Sequence, residues 1–257
     1  MNLAKERKEW FGNLRGDVLA GLVSSFAVIP EVVGFCIVAG ISPMMGLYAS
    51  FWLTVLMAFL GGRPAMISAA AGSMALVIVS LVRDYGPEYL MAATILCGVI
   101  MFVLGVLGIG NLIKLIPNTV QIGFVDALAI LIFSSQLGNF EGEGWQMFAL
   151  VALGIAIIYF FPYVTTAVPS TLVAVVVVTA IAIIGRVDVR TIGDMGNITA
   201  TLPPFHIPEV PLNMETFMIV LPYSASLAIV GLSETLLTSK VIDEMTDSEG
   251  DRNRECR

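Results

Sequence analysis

The chain has 257 residues, 57% of them apolar and only 13% charged, with a mean hydropathy of +0.90; a soluble domain carries about 25% charge. That excess excludes a water-soluble enzyme and a disordered protein, and a net charge of −7 leaves no basic patch for nucleic acid. The apolar residues come in blocks of about 18–25, enough to cross roughly 30 Å of hydrocarbon. This is the pattern of an all-α polytopic membrane protein.

The chain opens on MNLAKERKEWFGNLRGD, a charged stretch expected to lie flat at the interface. An apolar run without an A-x-A-like cleavage site follows, which reads as a retained first span rather than a signal peptide. Eight apolar blocks occupy 18–39, 43–60, 65–82, 89–113, 117–138, 145–161, 169–185 and 214–239. Short connections with turn chemistry join most of them: ISP at 41–43, GGRP at 61–64, DYGPE at 84–88, IPN at 116–118 and NFEGEG at 139–144. The stretch 186–213, with Pro203, Pro204, Pro208 and Pro211, is too polar for lipid and reads as one long surface loop. His206, the only histidine, lies in it with no His or Cys nearby and reads as a solvated side chain. Cys36 and Cys97 fall inside apolar blocks and Cys256 in the tail, so all three read as free thiols rather than a disulfide framework.

Eight crossings from a cytoplasmic N-terminus put ten of the thirteen Lys and Arg residues inside and only Arg83, Arg186 and Arg190 outside. This is the positive-inside bias, with both termini cytoplasmic.

Of the twenty acidic residues, only Glu31, Asp126 and Glu234 fall within apolar blocks, with no basic residue beside them. An ionised carboxylate at mid-bilayer costs about 2.5–3.5 kcal/mol on insertion scales. Each of the three is therefore protonated, bound to a cation, facing water, or a neutral acid hydrogen-bonded between helices. Coupling to H+ or Na+ needs such an acid. In GLSETLLTSK, Glu234 and Thr238 stand i, i+4 on one helix face, a carboxylate and a hydroxyl suited to a small hard cation or a proton relay. Ser233 lies off that face and has only backbone to satisfy.

The segment PAMISAAAGSMALV at 64–77 admits two readings. Its small residues suit close helix approach. Alternatively, an extended stretch at membrane depth leads into a half-helix starting near Gly72, whose free N–H groups form an anion site. Discontinuous helices aimed at anions recur in secondary transporters. Pro30, in AVIPEVVGFC, offers a related break in the first span beside Glu31 and Phe35.

The ordered set LRGDVLAGL, IPEVVGF, AGISPMMGLYASF, FLGGRPAMISAAAGSMA, TVQIGF, VRTIGD, LPPFHIP and VGLSETLLTSKVIDEMTD resembles the SulP family of sulfate permeases and inorganic anion transporters along essentially the whole chain. The GGxPxxIS form is similar to its bacterial bicarbonate and sulfate branch. The resemblance implies a uracil-permease-like membrane domain of two inverted seven-helix repeats, often followed by a cytoplasmic STAS domain. This chain would hold the first repeat plus helix 8, with helices 9–14 and the STAS domain absent. The implied organisation is a cytoplasmic segment 1–16, core helices 1–4 over 17–116, gate helices 5–7 over 117–185, an extracellular loop 186–213, core helix 8 at 214–246 and a cytoplasmic tail 247–257.

The same resemblance implies site residues. Phe35 falls at the family's aromatic anion-site position. Glu31 stands where the family usually has glutamine, and a charge beside an anion repels it unless protonated. Gly72 and Ser73 match the start of the span-three half-helix, with Ala71 where some bacterial relatives carry threonine. Glu234 and Thr238 match the acid and hydroxyl associated with the coupling ion. Arg63-Pro64 replaces a Ser-Lys/Arg pattern, and Asp126 carries no implied role.

The implied function is secondary active transport of a small inorganic anion, sulfate or bicarbonate, coupled to H+ or Na+ by an elevator movement. No cofactor beyond that ion and no metal-ligand set is expected. The implied partners are the anion, the lipid bilayer and, in a full-length form, a second copy in the bacterial plasma membrane. Two alternatives stand beside it: a nucleobase permease on the same architecture, which the loop motifs oppose, and a non-transporting truncated fragment or scaffold. An intramembrane enzyme is disfavoured because the spans hold no nucleophile–base pair and no paired catalytic acids.

Overall fold

The computed structural model describes residues 12–61, 66–108, 118–165, 168–189, 191, 207–246 and 250. The expected interfacial segment up to residue 11, the Arg63-Pro64 turn, most of the 186–213 loop with His206, and the tail from 251 with Cys256 lie outside them. Among the described residues there is no strand, and they form eight α-helices. These are α1 (Leu14–Ala39), α2 (Pro43–Leu60), α3 (Gly72–Tyr85), α4 (Pro87–Val106), α5 (Asn118–Gln136), α6 (Trp145–Phe160), α7 (Ser170–Ile184) and α8 (Met214–Thr246). Among the described residues, five segments are long and apolar enough to cross a membrane: α1, α2, α4, Trp145–Tyr163 and Met214–Asp243.

The punctuation is local chemistry. After α1, Gly40 takes φ +73°, while its N–H bonds the Ile37 carbonyl and the Ile41 N–H bonds that of Cys36. This paired closure ends a helix on a left-handed glycine. Pro43 then opens α2 at a position where its missing N–H has no helical partner to lose. Gly86, at φ +85°, separates α3 from Pro87 of α4 in the same way. The Thr216 N–H donates to Asn213 Oδ1 at 2.8 Å and caps the start of α8. Pro30 does not break the first span: α1 runs unbroken through it. Proline removes one backbone bond, whereas a break in lipid would strand several more polar groups.

Residue contacts divide the chain into two compact units. One comprises the described residues of 1–31 and 139–194, the other those of 32–138 and 195–257. In the first, α6 packs along α7, burying Leu150 and Ala174, with Gly154 facing Val178. Trp145 at one end of α6 and Tyr159 and Tyr163 at the other are exposed, the placement of aromatic belts at two membrane interfaces.

In the second unit α8 packs on α4 and α3. The core joins Ala39 of α1, Ala75, Ile78 and Val82 of α3, Leu90 and Cys97 of α4, and Leu227 and Ala228 of α8. At Gly231 of α8 a Cβ would overlap the Met74 methyl of α3. Polar bonds reinforce this packing. Fully buried Ser224 Oγ lies 2.9 Å from both the Val220 carbonyl of its own helix and the Ala93 carbonyl of α4, and Ser80 and Tyr223 share a bond of 3.2 Å. Gly46 of α2 has no room for a Cβ against Cys36 of α1.

Candidate functional site

Residues 66–71 are not helical, and Ala71 is extended at φ −117°, ψ 139°. Non-helical backbone at membrane depth needs protein partners, and α2 supplies two. Thr54 Oγ1 donates to the Ser68 carbonyl at 3.0 Å, and the Ala70 N–H donates to Ser50 Oγ at 3.3 Å. Of the two readings of 64–77, the structure takes the half-helix: α3 begins at Gly72 and has 14 residues, about 21 Å of helix and too short to span alone. The first intrahelical bond runs from the Ala75 N–H to the Ala71 carbonyl at 3.1 Å, so the amides before it point out of the helix start.

Gly72 and Ser73 are buried. Ser73 Oγ donates to Glu234 Oε1 at 2.5 Å. The half-buried acid of α8 is thus held at the start of α3, where the helix dipole favours negative charge. Phe35, like Met74, packs against the cluster that contains Ala75. Phe35, Gly72, Ser73 and Glu234 all belong to one packed unit.

The other expected residues are placed differently. Thr238, one turn beyond Glu234, is exposed. Ser233 donates to the Ile229 carbonyl of its own helix at 2.7 Å, as its off-face position predicted. Glu31 is exposed on α1, one turn before Phe35. Asp126 is exposed on α5. Ala71 precedes the first turn of α3 and makes no side-chain cap. At the far end of α3, Arg83 donates to Asp84 at 2.9 Å and holds that exposed carboxyl below the usual range. No three His, Cys, Asp or Glu side chains converge among the described residues.

Two functional side chains escaped the sequence reading. Ser50 and Thr54 hold the stretch before α3, and their signal was a pair of hydroxyls at i, i+4 inside the apolar block 43–60.

The sulfate permease family matches residues 14–147 and 143–257. The chain is 57% identical over 251 residues to YbaR of Bacillus subtilis (strain 168), provisionally named a sulfate transporter, covering 98% of this chain and 52% of that one. It is 26% identical over 278 residues to the bicarbonate transporter BicA of Picosynechococcus, covering 95% and 49%. The chain therefore spans about half the length of the curated relatives it matches. Its fold matches the transmembrane domain of a cyanobacterial BicA with a TM-score of 0.79 at 27% identity, over 96% of this chain and 70% of that domain.

Proposed function

This chain belongs to the sulfate permease family, and from that premise we propose that it forms the anion-binding and ion-coupling part of a secondary transporter for a small inorganic anion. Sulfate is the first anion to test and bicarbonate the second, following the names of the two relatives. The observation that carries the reading is the 2.5 Å bond between Ser73, at the start of the half-helix, and Glu234, the acid of α8. It joins a helix start fit for an anion to a carboxylate fit for H+ or Na+.

The division of labour follows from the residues. The amides of the first turn of α3, with Phe35 nearby, receive the anion, and Ala71 contributes backbone only. Glu234 takes the coupling ion with Thr238 as a second oxygen. Glu31 meets the anion as a neutral acid. Movement is of the elevator kind, with α3, α4 and α8 travelling as the packed body they form.

The test is a chimera in which this chain replaces the matching half of YbaR, expressed in cells lacking their own sulfate uptake. Saturable uptake of labelled sulfate or bicarbonate that depends on a proton or sodium gradient is expected. Uptake of uracil instead, or gradient-independent uptake of either anion, overturns the reading.

A further inference from the structure

Ser73 is 4% exposed, and its hydroxyl has one proton to donate. That proton goes to Glu234 Oε1. A hydroxyl committed to a carboxylate cannot donate to an anion at the same moment, although Ser73 stands in the turn of α3 that the anion would meet.

Other charges near Glu234 are sparse. On α3, Arg83, Asp84 and Tyr85 stand in the last turn, at the opposite end from Ser73. On α4 the titratable groups are Cys97 in mid-helix and Glu88 and Tyr89 in the first turn. On α8, Tyr223 and Lys240 are each more than a turn away, with Asp243 beyond, and α5, which packs on α3, carries Asp126.

We propose that the Ser73 hydroxyl is a shared donor, bonded to Glu234 while the acid is ionised and handed to the transported anion once the coupling cation has neutralised Glu234. This rests on the anion-transport reading above. The proton or sodium ion arrives from water at Glu234 and the Ser73 O–H bond never breaks; only its acceptor changes. A neutral carboxyl is a weaker acceptor than a carboxylate, so loading the cation releases the donor the anion needs. Each ligand thereby favours the other by the same factor, as linkage requires. Ser73 is a positioning residue for Glu234 and a binding residue for the anion, which supplies a hydroxyl in the turn where Ala71 has none.

The experiment follows the carboxyl directly. Dicyclohexylcarbodiimide modifies protonated carboxyls in membranes, and mass spectrometry counts the adduct at Glu234, Glu31 and Asp126 separately. It is applied to the whole chain in lipid vesicles as wild type, Ser73→Ala and Ser73→Thr. Without the hydroxyl, Glu234 should label on the order of tenfold faster at neutral pH, Ser73→Thr should restore the slow rate, and Asp126 should serve as an unchanged internal reference. Equal rates in wild type and Ser73→Ala overturn the proposal. Radiolabelled sulfate is then counted on the same vesicles. Bound sulfate should accelerate Glu234 labelling in wild type and not in Ser73→Ala. Binding that leaves the wild-type rate unchanged or lowers it refutes the hand-over while leaving anion binding intact. Absence of sulfate and bicarbonate binding refutes the anion reading itself and the hand-over with it.

Discussion

At the residue scale, Glu234 is, of the three acids within apolar blocks, the one the structure ties to another helix, through Ser73. Glu234→Gln keeps the shape and removes the charge, so in the YbaR chimera it should abolish the cation or pH dependence of uptake while the protein still reaches the membrane. Thr238→Val should weaken that dependence by less, since the exposed hydroxyl carries no charge to lose. Uptake measured across imposed proton and sodium gradients decides this, and normal ion dependence in Glu234→Gln would move the role to Glu31. Glu31 makes its own prediction. An ionised carboxylate one turn from Phe35 would repel the substrate, so anion affinity should rise as pH falls between about pH 8 and pH 5. Glu31→Gln should keep the affinity and flatten its slope. A glutamine variant with an unchanged slope leaves Glu31 as a packing acid.

At the element scale, α3 starts where it does because α2 supports the chain before it. Ser50 and Thr54 satisfy one N–H and one carbonyl of a stretch that no helix satisfies. Removing both hydroxyls in Ser50→Ala/Thr54→Val should cost about 1–3 kcal/mol for each backbone group left unpaired. Unfolding from detergent micelles by graded SDS should show that loss. The single change Ser233→Ala, which removes only a bond within α8, should leave the midpoint nearly unmoved. Equal midpoints for both would mean that 66–71 is held by packing alone. Gly231 belongs to the same scale, since the Met74 methyl occupies the space of its missing side chain.

At the scale of the whole molecule, the chain is a multi-pass membrane protein that spans about half the length of its relatives. Movement of the elevator kind needs the gate helices of both repeats, whereas binding at the start of α3 does not. The 257-residue chain alone in proteoliposomes should therefore show no saturable sulfate or bicarbonate uptake, and robust uptake would overturn that expectation. The basic-residue bias predicts that 186–213 faces outside. Cysteines introduced there should react with an impermeant maleimide in intact cells; labelling only in inside-out vesicles would invert the map.

Much of this architecture was written in the order of residues. The block 43–60 became α2 at Pro43–Leu60, and the block 169–185 became α7 at Ser170–Ile184, because lipid length and the Gly and Pro that bound a helix are local properties. The start of α3 at Gly72 was one of two readings the sequence left open, because the alanines before it favour helix, and the extended stretch is held by bonds from Ser50 and Thr54. Pro30 misled, because the cost of exposing backbone in lipid outweighs one lost bond. The supports from Ser50 and Thr54 lay hidden among ordinary helix hydroxyls. The residues alone also marked Glu234 as an acid out of place in lipid. That its partner is Ser73, 161 positions away, was decided only by the packing of α8 on α3, since a contact between helices depends on their rotation and spacing, which no local pattern encodes.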